Sequence, residues 1–326
     1  MSATMRAVVQ DAYGSTATLR VEEVPIPQPG PDDVLVRVEA AGVDAGTWHL
    51  TTGRPYMMRL MGFGMRGPSG RVRGAAFAGV VEAVGAEVTD LQVGDAVFGA
   101  AAGALAERVR APRAAVAPIP DGLDFVAAAA VPISAVTAVQ AVAAANVEAG
   151  DRVLVLGAAG GVGHFVVQLA AARGAEVTGV CSGPKTALVR ELGAVDAIDY
   201  TTTDALGLGR IWDAIIDTAG NRPLRALRGS LATEGALVLV GGEAGGGVLG
   251  GMERVAAAGL RNLTARQRLT GLMARERQED LIELSRLYRE GAFHPVIDTV
   301  YPLERTAEAI DHIGAGRARG KVVVTP

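Results

Sequence analysis

The sequence predicts an α/β protein in which a doubly wound parallel sheet accompanies an all-β unit, and three features carry that expectation. The segment Arg152-Val-Leu-Val-Leu-Gly157 runs through Ala158-Ala159-Gly160-Gly161-Val162-Gly163 into His164-Phe-Val-Val-Gln-Leu, an apolar strand, a glycine turn and a helix in that order. An apolar strand of this kind is covered on both faces. Apolar segments near 152–156, 176–181, 212–217 and 236–240 are separated by helix-length stretches, which implies parallel pairing with right-handed crossovers. Before about residue 120 the pattern differs: short strands such as Met5–Val9, Asp33–Val38 and Ala78–Val84 are cut by Pro and Gly.

In chain order, Pro25, Pro27, Pro29 and Pro31 form an extended link between the second and third strands, because proline fits neither a helix interior nor a central strand. The texture changes at Pro118 and Pro120, and alanine-rich helical segments follow from Leu123. Apolar positions at 281, 284 or 285, and 288 trace one face of a helix over Gln278–Tyr288. The strands Val296–Tyr301 and Gly320–Val324, with a helix starting at Leu303, are too small to stand alone and are expected to return to the first unit. The expected division is therefore 1–121 with 278–326 in one domain and 122–277 in the other. A chain of 326 residues is long enough for two such cores.

Composition narrows the partners. Net charge is −4, with 31 basic and 35 acidic residues interspersed, so no electrostatic footprint for a nucleic acid or an anionic membrane appears. A single cysteine, Cys181, excludes an intrachain disulfide and any multi-cysteine metal site. With no signal-like start and no long uncharged apolar run, the expectation is a cytoplasmic protein with a small-molecule partner. The glycine turn says which: Ala159, Gly160, Gly161, Val162 and Gly163 let the backbone approach a diphosphate whose charge is met by amides at a helix N-terminus. Ala158 replaces the first glycine of the usual fingerprint.

Several further motifs carry a resemblance. Ala78-Gly-Val-Val-Glu-Ala-Val-Gly85, Val93-Gly-Asp-Ala-Val-Phe-Gly99, the turn from Gly157 to Gly163, Leu192-Gly-Ala with Ala197-Ile-Asp-Tyr200, and Ala219-Gly220 after Ile215-Ile-Asp217 resemble the medium-chain dehydrogenase/reductase superfamily, essentially end to end. The resemblance implies a GroES-like β-barrel domain plus a Rossmann domain. Within the superfamily the chain is similar to the zinc-independent quinone oxidoreductase branch, because Val43–Trp48 lacks the cysteine of zinc-dependent relatives and Ala75-Ala76 stand where those have His-Glu. His49, His164, His294 and His312 are scattered without metal-ligand spacing, so no metal is expected.

The acidic residue that reads NAD at the end of the second strand is replaced by Ser182, with Lys185 following and Tyr200 closing the next strand. This resembles NADPH-specific quinone reductases, and NADPH is the expected cofactor. Thr137 and Gly241-Gly242 match family positions near the nicotinamide end. The family's substrate-facing segment corresponds to Asp44–Tyr56, where His49 and Tyr56 are candidate proton donors and Asp44 stands where relatives commonly have Asn. A carboxylate there needs a partner, and Arg54, Arg59 and Arg66 are candidates. Met57, Met61 and Met65 have the spacing of one helical face, either an adaptable substrate wall or plain core.

Without a metal, hydride acceptance by a quinone or a conjugated enone or enal is favoured over carbonyl reduction, since the enolate needs only modest stabilisation. The expected function is an NADPH-dependent reductase of a small apolar carbonyl compound or quinone. An NAD(P)-dependent alcohol dehydrogenase, and a nicotinamide-binding module with an eroded redox site, remain alternatives. The resemblance also implies a homodimer that joins sheets edge to edge through a strand near Gly259–Thr264.

Overall fold

In the computed structural model, which describes residues 3–241, 249–261 and 266–326, the N-terminal third is a set of strands. β1 (Thr4–Val9) and β2 (Arg20–Pro25) form an antiparallel pair. The long β3 (Asp33–Val43) follows, then α1 (Ala45–Thr52), β4 (Ala76–Val84), β5 (Ala96–Ala100), β6 (Arg108–Pro112) and β7 (Val116–Pro118). Val34, Val36, Val38, Phe77, Val81 and Val97 from these strands share one core, as their alternation requires.

The chain then enters helices α2 (Phe125–Ala129) and α3 (Ser134–Ala145), and alternates through β8 (Arg152–Leu156), α4 (Gly163–Ala172), β9 (Glu176–Cys181), α5 (Thr186–Glu191), β10 (Asp196–Asp199), β11 (Trp212–Asp217), α6 (Leu224–Gly229), β12 (Leu231–Leu239), α7 (Met252–Arg261) and β13 (Arg268–Gly271). These six strands form one wholly parallel sheet in the order β10-β9-β8-β11-β12-β13. Strand order reverses between β8 and β11, and the crevice at the carboxyl ends of strands beside such a reversal is where ligands bind in open α/β sheets.

The last elements are α8 (Gln278–Arg289), β14 (Ile297–Pro302), α9 (Thr306–Gly314) and β15 (Lys321–Thr325). β15 pairs antiparallel with β3 and parallel with β14, so the C-terminal strands complete the first sheet, in the order β14-β15-β3-β4-β5-β7 with β6 also on β3. The molecule is thus an α/β fold with a GroES-like unit and a Rossmann-like parallel sheet.

Three local expectations are corrected. Met57, Met61 and Met65 do not share a helical face: a π-helical turn over Arg59–Phe63 is broken at Met61 and at Gly62, whose φ is +100°, and Gly64 follows at +101°. Glycine at positive φ ends a right-handed helix, so the methionine spacing loses its meaning there. Gly259–Arg261, expected in an edge strand, end the amphipathic helix α7, the outer strand of the parallel sheet is β13, and residues 262–264 lie outside the described residues. Tyr200 stands just past β10, which ends at Asp199.

Candidate active site

The glycine turn leaves β8 at Gly157, whose φ of +79° puts it in the left-handed region. A Cβ on Gly163 would stand 2.1 Å from the Gly157 carbonyl oxygen, so only glycine lets α4 start this close to the strand. Among the described residues no acceptor takes the N–H of Gly161 or Val162, and both precede a ten-residue helix. Free amides at the positive end of a helix are what a diphosphate requires, so the residues present fit a dinucleotide. Behind the turn His164 is fully buried; its Nδ1 donates to the Gly160 carbonyl at 2.9 Å, and burial pushes its pKa down to about 3. The imidazole is therefore a neutral packing group on Phe165, with ring centroids 3.9 Å apart.

At the end of β9, Ser182 precedes a short turn that brings Lys185 across to the other sheet's loop. Lys185 Nζ donates to the carbonyls of Ala318 at 2.8 Å and Gly316 at 3.3 Å, and burial lowers its pKa. The Asp199 carboxylate reaches the same turn: a Cβ on Gly183 would lie 2.5 Å from its Oδ2, while Oδ1 accepts from the Thr201 N–H and hydroxyl at 2.9 and 2.7 Å. The Thr201 bonds hold the Asp199 carboxyl below its ordinary range. Tyr200 beside it is exposed.

Across the strand-order reversal, the carboxyl end of β11 is organised by Asp217. Its side chain is wholly buried; Oδ1 accepts from the Gly220 and Ala219 amides at 2.8 and 3.2 Å, and Oδ2 from Arg254 at 2.6 Å. Gly241 packs against this end, where a Cβ would lie 2.4 Å from the Thr218 carbonyl oxygen. Gly242 lies outside the described residues. Thr137 is buried one turn into α3, and its hydroxyl is spent on the Ile133 carbonyl at 2.7 Å.

The three candidate catalytic residues are not brought to one point by hydrogen bonds. Asp44 caps α1, with Oδ1 accepting from the Thr47 amide at 3.2 Å, and its Oδ2 is buried without a partner. His49 Nδ1 donates to the Arg54 carbonyl at 2.9 Å, and Trp48 meets the ring edge-on at 5.0 Å. That bond fixes the tautomer and leaves Nε2 to act. Tyr56 is 43% exposed beneath the Arg59 guanidinium, which also lies over Tyr13 and donates to the Gly53 carbonyl. Neither Arg59, Arg54 nor Arg66 pairs with Asp44. The cation facing Asp44 is Lys321, which sequence reasoning missed: it is fully buried, Nζ donates to Ser134 Oγ at 2.8 Å, burial lowers its pKa, and Asp44 opposes that shift. A lysine opening the apolar run Val322-Val-Val324 was the available signal. Glu276 joins the group, its pKa raised by burial and then by Asp44.

No group of three or more His, Cys, Asp or Glu side chains suited to a metal ion occurs among the described residues. The only cysteine is buried in β9. Zinc wants three or four such donors in fixed geometry, and these residues do not supply it. No helix among the described residues is long and apolar enough to cross a membrane.

Comparison with known proteins agrees with this geometry. The family described as alcohol dehydrogenase GroES-like domain matches residues 30–121, and that described as zinc-binding dehydrogenase matches 192–324. A protein named quinone-oxidoreductase QR1, chloroplastic, from Triphysaria versicolor is 31% identical over 342 residues, covering 99% of this chain and 98% of its own. An NADPH-dependent alkenal/one oxidoreductase, chloroplastic, from Arabidopsis thaliana is 29% identical over 339 residues, covering 99% and 80%. The solved structure of the quinone oxidoreductase from Coxiella burnetii superposes with a TM-score of 0.85 at 27% identity, covering 99% of this chain and 100% of that one.

Proposed function

Since the chain belongs to the quinone oxidoreductase-like branch of the medium-chain dehydrogenase/reductase superfamily, we propose that it is an NADPH-dependent, zinc-independent reductase of a quinone or a conjugated enone or enal. The single observation that carries the proposal is the pair of free amides at Gly161 and Val162 above α4, beside the reversal of strand order. When bound, NADPH supplies a hydride. The rest is the work of this chain: Gly163 brings the helix end close, Asp217 fixes the β11 loop, and Ser182, Lys185 and Tyr200 supply a hydroxyl, a cation and a phenol for a 2′-phosphate. In this reading Lys185 exchanges the Ala318 carbonyl for the phosphate.

His49 is the stronger of the two proton donors proposed: with its Nδ1–H held by the Arg54 carbonyl, the imidazolium form carries its second proton on Nε2, delivers it to an enolate oxygen and is left as the neutral ring. Tyr56, capped by Arg59, is placed at the cleft's outer wall in this account. That the described residues hold no zinc donor set favours a conjugated acceptor, whose enolate asks less of the protein than an alkoxide. The proposed substrate domain comprises 1–121 and 278–326 and the nucleotide domain 122–277. β13, the outermost strand of the parallel sheet among the described residues, is the element proposed to face a second copy in a homodimer.

Turnover of NADPH against a panel of quinones, enones, enals and ketones, with and without a strong chelator, tests the proposal. The expected result is chelator-insensitive oxidation with quinones or C=C acceptors. Oxidation with ketones alone, or activity abolished by chelation and restored by zinc, would overturn it.

A further inference from the structure

The register of β15 on β3 pairs Val322 with Val43 and Val323 with Gly42, so the next step sets Lys321 opposite Asp44. Opposite charges in such positions ordinarily close into an ion pair. Here they do not: among the described residues no ion pair joins them, Lys321 Nζ turns instead to the Ser134 hydroxyl at 2.8 Å, and Asp44 Oδ2 is left without a partner. A fully buried ammonium whose contact is a neutral hydroxyl is an expensive arrangement unless an anion completes it.

The position of that anion is marked by the glycine turn. A Cβ on Gly161 would lie at 3.7 Å from Ser134 Oγ, from Lys321 Cδ and from the Gly320 carbonyl oxygen alike, so a slot of about one atom's width separates the turn from this pair. The Gly320 amide donates to the Ala159 carbonyl at 2.9 Å, which holds β15 against the turn. Ser134 Oγ accepts from Lys321, and its own proton has no acceptor among the described residues. From there α3 runs over β11 and β12, the half of the sheet beyond the reversal. Ser134 thus opens the helix that covers this half of the sheet, whereas Ser182 follows β9 on the other side of the reversal.

We propose that Ser134 donates its hydroxyl proton to a phosphate oxygen on the nicotinamide side of the bound dinucleotide, with Lys321 as the positioning residue behind it and Asp44 as the group that keeps Lys321 charged. This rests on the cofactor reading above. The two phosphates are then divided: free amides of Gly161 and Val162 meet the diphosphate from one side, and a hydroxyl backed by a buried cation meets it from the other. The titratable groups acting on Lys321 are Asp44 from the start of α1 and His164 from α4, the latter neutral at ordinary pH.

Binding titrations on the full chain decide the matter, using NADPH and, as an adenosine-side probe, adenosine 2′,5′-bisphosphate. Ser134→Ala is expected to weaken NADPH binding about ten- to a hundred-fold, the range for a hydrogen bond to a charged group, and to leave the bisphosphate within about two-fold. Ser134→Thr should restore most of the loss. Lys321→Met should mimic Ser134→Ala. For wild type, NADPH affinity should fall on the alkaline side as Lys321 loses its proton, and Asp44→Asn should move that fall to lower pH. If Lys321→Met does not fold, Ser134→Ala and the wild-type pH series still give the answer. Equal loss for both probes, or no loss for either, would overturn the assignment while leaving the cofactor reading intact. Wild type that binds neither probe would overturn both.

Discussion

Arg254 reaches from α7 to donate to Asp217 Oδ2 at 2.6 Å, and the carboxylate it meets is wholly buried where β11 ends beside the nucleotide turn. Breaking a buried pair strands a charge, which costs about 3 to 5 kcal/mol. Arg254→Ala should therefore lower the unfolding free energy by roughly that much, measured by urea denaturation. The exposed pair Arg152–Asp213 supplies the contrast, and Arg152→Ala should cost under about 1 kcal/mol. Similar losses for the two variants would mean that Asp217 is not organising the site.

Gly163 and Gly160 differ in what a methyl group would meet. On Gly163 it would stand 2.1 Å from the Gly157 carbonyl oxygen, on Gly160 3.2 Å from the same atom. Gly163→Ala should displace α4 and abolish measurable NADPH binding, with a lower melting temperature. Gly160→Ala should keep the fold and weaken binding less. Wild-type affinity in Gly163→Ala would remove the close strand-to-helix approach from the account.

His164 makes stability depend on pH in a definite direction. Its folded value of about 3 lies below the ordinary 6.5, so between these values the unfolded chain binds more protons and stability falls as pH falls. The loss is complete below the folded value and amounts to roughly 4 to 5 kcal/mol. His164→Asn, whose amide can still donate to the Gly160 carbonyl, should flatten the difference between stability at pH 6.5 and pH 4. An unchanged acid slope in that variant would assign the loss to other groups.

In the proposed reading, cofactor choice is made through Ser182 and Lys185. Ser182→Asp with Lys185→Ala should shift the ratio of kcat/KM for NADPH over NADH by at least about ten-fold toward NADH, since repulsion of a 2′-phosphate replaces attraction. The lysine also clasps Ala318 and Gly316, so the melting temperature should drop slightly as well. A ratio that does not move would place the discriminating group elsewhere, with Asp199 the next to test.

Much of this architecture was legible because it is written in periodicity and punctuation. β8, β9 and β11 are bounded as their apolar runs suggest, and Pro27, Pro29 and Pro31 lie between β2 and β3, while Pro25 closes β2 itself. The incompleteness of the terminal elements pointed to a return but not to its partner, and the pairing of β15 with β3 came only from the structure. The methionine segment was misread because spacing assumes a continuous helix, and two glycines at positive φ remove it. Gly259–Arg261 form no edge strand because the hydrophobic pattern of Met252–Arg261 is that of an amphipathic helix, which overrides the resemblance there. Asp44 was singled out but its neighbour Lys321 was hidden for a different reason: the two lie 277 positions apart and are set opposite each other only by strand register, which no local pattern records.

The central claim is that hydride passes to the β-carbon of a conjugated acceptor. NADPH carrying deuterium at both C4 positions of the nicotinamide, incubated with the protein and an enone that it turns over, tests this directly by mass spectrometry and NMR of the product. The account predicts a saturated ketone carrying the label on its β-carbon. Label on the carbinol carbon of an allylic alcohol, or product without label, would contradict it.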